Sequence, residues 1–119
     1  MATLSVGADG ALRTLLFDFT YLSPAVNDFG TLLANDLIIE TRVEIDTPFD
    51  DVAALISIGP VSNPDSLLAT NQIDPTTASD YGTQEGLKIT APDAMRLKIS
   101  AGTSTQGAGR ALVVFRRAS

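Results

Sequence analysis

Apolar and polar residues alternate along much of the chain, and a period of two is the mark of half-buried β-strands. The clearest run is Leu37–Ile45. There Leu37, Ile39, Thr41, Val43 and Ile45 are expected on one face, and Ile38, Glu40, Arg42 and Glu44 on the other. Met95–Ala101 repeats the pattern, with Met95, Leu97, Ile99 and Ala101 set against Arg96, Lys98 and Ser100. Leu12–Phe19 reads as a strand of mixed polarity, preceded by the turn-like Gly7-Ala8-Asp9-Gly10. Val52–Ile58 is apolar, holds β-branched residues and stops at Gly59-Pro60, while Leu87–Thr90 is a short strand before Ala91-Pro92-Asp93. Ala111–Phe115 is apolar on both faces, which predicts cover on both sides, from a second sheet or a neighbouring chain.

The segments between these runs carry turn residues. Residues 102–109 hold three glycines and no large side chain, so they read as the mobile tip of a long hairpin that pairs residues 95–101 with 110–116, or as a contact arm. Asn63–Ala69 has an Asn N-cap, Pro64 at the first helical position and Asp65 in the first turn, enough for one or two helical turns. A second short turn begins at Ser23-Pro24 and is interrupted by Gly30. Residues 60–86 form the longest stretch without a strand pattern, and a loop of that length carries function or packs against something. The prolines fall outside the strongest strand runs, as the ladder requires. These features predict one all-β domain over residues 1–119: an antiparallel β-sandwich, jelly-roll-like or immunoglobulin-like, with a long C-terminal hairpin and little helix.

Composition narrows the chemistry. A chain of 119 residues has room for one core. With no cysteine and no histidine, disulfides, thiolate zinc sites, thiol catalysis and Ser-His-Asp triads are excluded. Tryptophan is absent and aromatic residues make up 6%, a poor stacking surface for sugars or bases. Met1–Val6 lacks a positive n-region, and the longest apolar runs are far too short to span a bilayer. The expectation is a soluble protein made in the cytoplasm, with both chain ends packed against something, and with no membrane partner, no cofactor and no catalytic residue.

The charge is split. The net charge is −6, yet residues 94–119 carry five bases (Arg96, Lys98, Arg110, Arg116 and Arg117) and no acid, against −11 for residues 1–93. The bases alternate with apolar residues and so belong to strands. They meet either acids of the same domain or acidic surface on a neighbouring subunit, where charge sets orientation and encounter rate. The overall negative charge argues against nucleic acid as a partner. Asp46, Asp50 and Asp51 cluster around Thr47-Pro48-Phe49, and Asp65, Asp74 and Asp80 lie in the long loop. Neither set has the spacing of a calcium loop, so they are expected to cap backbone amides, with no metal. Glu40 and Glu44 flank Arg42 on one strand face, an arrangement read as a salt-bridged surface and not as a glycosidase pair. The glycine-rich 102–109 lacks the lysine of a phosphate loop.

In order along the chain come Val43-Glu44-Ile45-Asp46-Thr47-Pro48-Phe49-Asp50, then Leu55-Ile56-Ser57-Ile58-Gly59, Asn63-Pro64-Asp65-Ser66-Leu67-Leu68, Ile73-Asp74, Tyr81-Gly82, and Ile99–Gly107 with the final strand. Over about residues 36–117 this order resembles small β-sandwich virion proteins of tailed bacteriophages. The resemblance implies a head-decoration (cement) protein, or a small tail or fibre component, made in the host cytoplasm and located in the virion. It implies a homo-oligomer, with a trimer favoured, partnered by the major capsid protein or another virion protein. The expected interface residues are Tyr21, Phe29, Leu67, Leu68 and Tyr81 as anchors, with Arg110, Arg116 and Arg117 as orienting charges. A rival of another class is a carbohydrate-binding sandwich module that recognises a receptor.

Overall fold

The computed structural model describes residues 12–63 and 65–117. The expected turn at Gly7–Gly10, both chain ends and Pro64 lie outside them. Among the described residues the regular structure is β1 (Leu12–Thr20), β2 (Val26–Leu32), β3 (Leu37–Thr47), β4 (Leu55–Pro60), β5 (Ser79–Lys88), β6 (Asp93–Ser100) and β7 (Ala108–Arg116), with one short 3-10 turn at Thr70–Gln72. Two antiparallel sheets form, in the orders β1-β7-β3-β5 and β2-β6-β4. Odd strands make one sheet and even strands the other, so every connection crosses from layer to layer.

The two inner faces supply the core. Phe19, Ile38, Val43, Ile45, Ala111, Val113 and Phe115 come from the four-stranded sheet; Leu32, Ile56, Ile58, Met95, Leu97 and Ile99 come from the three-stranded one. Phe49, Ala54, Leu67, Leu68, Ile73 and Ile89 close the core from the connections. Alternation was enough to place the buried face of β6, where Met95, Leu97 and Ile99 point inward and Lys98 and Ser100 are exposed. In β3 it misplaced the first three residues, Leu37, Ile38 and Ile39. A bulge between Ile38 and Glu40 inserts Ile39 opposite no partner on β7. Ile38 is therefore fully buried, while Ile39 stays half-exposed. A single extra residue shifts the parity of everything before it.

The C-terminal hairpin does not form. β6 pairs with β2 and β4, and β7 pairs with β1 and β3. Two residues close a tight hairpin, whereas sheets stack about 10 Å apart, so a seven-residue link suits a crossing between layers. Three further expectations change. Val52 is 93% exposed in a turn, and the strand begins at Leu55. Residues 26–32 and 79–86 are strand: they lie on sheet edges, where most of their polar residues face solvent and no apolar pattern is needed, while the buried Asn27 donates to Pro24 O. Around Asn63–Ala69 the described residues form turns and not a helix. Leu67 and Leu68 dock instead on β4, with Ile58 N–H donating to Leu68 O at 2.9 Å and Leu68 N–H to Ile58 O at 3.0 Å. That docking extends the edge of the three-stranded sheet.

Candidate interaction surface

Side chains at the two ends of the sandwich are committed to holding the crossings. At the end where residues 101–107 arch between β6 and β7, Asp50 accepts from Thr105 N–H (2.7 Å) and its hydroxyl. Asp51 accepts from Thr103 N–H (2.8 Å) and, through its other oxygen, from Ala53 N–H (2.9 Å). Ser104 Oγ in turn accepts from Asp51 N–H. These donors hold both carboxyls below the usual carboxylate range: for Asp50 chiefly the Thr105 hydroxyl, for Asp51 chiefly Thr103 N–H. Gly107 takes φ +150° with the Phe49 ring beneath it, where a side chain would strike the ring. The arch is thus clamped by two aspartates, which corrects its reading as a mobile hairpin tip. Asp74 likewise caps its own turn, accepting from Thr76 N–H and the Thr76 and Thr77 hydroxyls. Among the described residues no three acids converge as metal ligands.

At the opposite end, Asp36 is fully buried in the β2–β3 turn. It accepts from Leu33 N–H at 2.7 Å and from Arg117 Nε and Nη2 at 3.0 and 2.9 Å. The guanidinium holds the Asp36 carboxyl below its ordinary value, against burial, which pushes the other way. Arg117 also lies 5.2 Å from the centre of the Phe115 ring. Arg110 pairs with Asp18 (3.0 Å) and Arg96 with Asp28 (2.8 Å), both across neighbouring strands. Three of the five C-terminal bases therefore meet acids of their own chain.

The eight residues expected at an interface fall into separate places. Leu67 and Leu68 are core, 3% and 1% exposed, which corrects their reading as surface anchors: the sheet edge they cover is the chain's own. Tyr81 is half-buried, its hydroxyl donating to backbone carbonyls of the 74–77 turn. Phe29 is half-buried against Phe17 with ring centres 6.1 Å apart, tying β2 to β1. Tyr21 is half-buried and packs against the core edge beside the arch, where its N–H donates to Gly107 O. Arg110 and Arg117 are engaged as above, and Arg116 is exposed.

Part of the apolar surface left over lies on the outer face of the four-stranded sheet. Strand register lays it out in rows that run across β1, β7 and β3. Leu16, Leu112 and Arg42 share one row, and Thr14, Val114 and Glu40 the next. Leu16 is half-exposed, Leu112 and Val114 partly so, and Leu12 at the sheet's corner is 61% exposed. Arg42 and Glu40 pair at 2.8 Å, the salt-bridged surface expected for that strand. Sequence reasoning marked Ala111–Phe115 as two-faced but missed Leu12 and Leu16. Only the pairing of β1 with β7 brings those leucines beside Leu112. On the three-stranded sheet a shallow hollow of about 310 Å³ lies among Val26, Leu55, Ser57, Asp65, Lys98 and Ser100.

No protein-family model and no curated protein sequence matches the chain. Its fold matches solved structures over nearly its whole length. A chain in the cyanophage Pam1 capsid asymmetric unit superposes with a TM-score of 0.73 at 13% identity, covering 98% of this chain and 91% of that one. A chain in the acidic stable capsid structure of Helicobacter pylori bacteriophage KHP30 gives 0.75 at 11% identity, covering 93% and 91%. A chain in the capsid of Ralstonia phage GP4 gives 0.66 at 19% identity, covering 100% and 91%. The two-sheet sandwich described here is thus the fold of small chains found in three bacteriophage capsids.

Proposed function

We propose that this chain is a structural protein of a bacteriophage virion, a decoration (cement) protein that binds the head lattice as a homo-oligomer. The observation that carries this is the match in both fold and length. Each likeness spans at least 93% of this chain and 91% of a capsid chain, so it is to a whole small capsid component and not to one domain of a larger subunit. The physical features agree with a static, load-carrying role. Both ends of the sandwich are pinned by buried or multiply bonded aspartates. Its partner in this reading is the major capsid protein or another virion protein. Copy number in purified particles tests it. Quantitative mass spectrometry should find this chain in hundreds of copies, near the number of shell subunits. A handful of copies would point to the tail or a fibre instead, and absence from the particle would refute the proposal.

A further inference from the structure

The outer face of the β1-β7-β3-β5 sheet carries a charge gradient along its strands. In one end row lie Arg116 and Lys88, the register neighbours of Leu37. Neither takes part in the four ion pairs among the described residues. The row at the other end holds Asp18, Glu44 and Asp80 around Arg110. Between the two lie the apolar Leu16, Leu112 and Val114, together with Thr14, Gln84 and the paired Glu40 and Arg42.

We propose that a second copy of this chain covers this face, related by a two-fold axis that runs across the strands over the row Leu15–Val113–Thr41–Thr83. A face can stack on itself about an axis along the strands or across them. An axis along the strands would set the basic row on a basic row and the acidic row on an acidic one. An axis across them reverses the strand direction and lays each basic row on an acidic row. Register then fixes the partners. Lys88 faces Asp80 of the second copy, Glu40 faces Arg42, and Val114 faces Leu112, while Leu12 faces Asp18 and Leu37 faces Glu44, so the attraction in the end rows rests on Lys88 and Asp80. Arg116 faces Arg110 of the second copy, which already stands between Asp18 and Glu44, so acid outnumbers base around it. The contact is isologous and closed, and it therefore gives a dimer and not the trimer that the resemblance favours. Four strands about 4.8 Å apart and four rows give roughly 400 Å² in projection, and more as rough side-chain surface. In projection that is about half of the roughly 800 Å² per partner that standard specific interfaces bury, so the dimer is expected to be weak and reversible. The pairing is read on the isolated chain and stands or falls separately from capsid binding.

Sedimentation velocity of the full chain from micromolar to millimolar concentration tests it. The expected species has twice the 12.5 kDa chain mass. Lys88→Glu and Asp80→Lys should each weaken association by about tenfold, since each turns two symmetry-related rim attractions into repulsions. The two together should restore it. Lys88 and Asp80 lie at opposite ends of β5, too far apart to compensate within one chain, so rescue can arise only between copies. Leu16→Asp, at a half-exposed position outside the core, should leave a folded monomer. A wild-type chain that stays monomeric at millimolar concentration, a trimer, or a double variant no tighter than the weaker single one would overturn the proposal.

Discussion

Truncating Leu68 to alanine separates a core role from a partner-facing one. Its side chain is 1% exposed, and its backbone bridge to Ile58 is independent of the side chain. Removing three carbons therefore leaves a cavity between the 61–72 connection and β4 without opening the bridge. Buried Leu→Ala changes cost about 2–5 kcal/mol, more where the surroundings are rigid; a loop lid can relax, which favours the lower half, about 3 kcal/mol. At about 2.1 cal/mol/K per residue, the 119-residue chain unfolds with an entropy near 250 cal/mol/K, so this loss lowers Tm by about 12 °C. Thermal unfolding followed by circular dichroism, at a concentration low enough to exclude mass-action effects, reads the shift. Urea titration should show a lower midpoint with an unchanged slope. A Tm drop under about 4 °C, accompanied by weakened self-association, would refute the core assignment and return Leu68 to the interface.

Gly109→Ala should prevent folding or lower Tm steeply, because the added carbon would lie 2.7 Å from the Phe19 ring and against the Glu44 carbonyl; soluble yield and Tm report it. Thr41→Val should raise stability by about 1 kcal/mol, since the Thr41 hydroxyl is fully buried and has no hydrogen-bond partner; a fall in the urea midpoint would show that something satisfies that oxygen. Asp36 has a folded pKa below its unfolded value of about 3.9. Its contribution is therefore present above that pH and lost as pH falls through and below it, so Asp36→Asn should flatten the decline of Tm between neutral and strongly acid pH, and an unaltered decline would deny Asp36 that role. Asp50→Ala with Asp51→Ala should speed amide exchange at Thr103 and Thr105 while leaving the β3 and β7 amides protected; unchanged exchange at the arch would mean that the clamp is not what holds it.

How far the sequence spoke depended on whether a strand buries one face. β6 and the second half of β3 have a wet and a dry side, and alternation placed their buried residues correctly from Thr41 to Ile45 and from Met95 to Ile99. β2 and β5 are edge strands, with mostly polar exposed positions and glycines at Gly30, Gly82 and Gly86, so no period stood out. Pairing was harder still. A period of two says which face of a strand is dry but not which sheet the strand joins, and consecutive strands here always lie in different sheets. Of the aspartates expected to cap their own turns, Asp51 and Asp74 do so, whereas Asp80 lies in β5. That Asp50 and Asp51 grip a segment more than fifty residues away depends on tertiary structure, which no local spacing encodes.

The charge split shows the same division between local pattern and tertiary placement. Five bases and no acid at the C-terminal end looked like a binding surface, yet Arg96, Arg110 and Arg117 each have an acid from the first forty residues within hydrogen-bonding distance. Pairs between exposed groups contribute little to stability, but they cancel most of the apparent basic block. What remains is Arg116 on one outer face and Lys98 on the other, since the two sit on β7 and β6 in opposite sheets. Arg116 lies on the face that carries Leu12, Leu16, Leu112 and Val114, in a row with Lys88 and at the other end from a row richer in acids. A free charge beside apolar surface selects partners by sign while the leucines supply most of the affinity. The sign pattern of this sheet is met best by a reversed copy of itself.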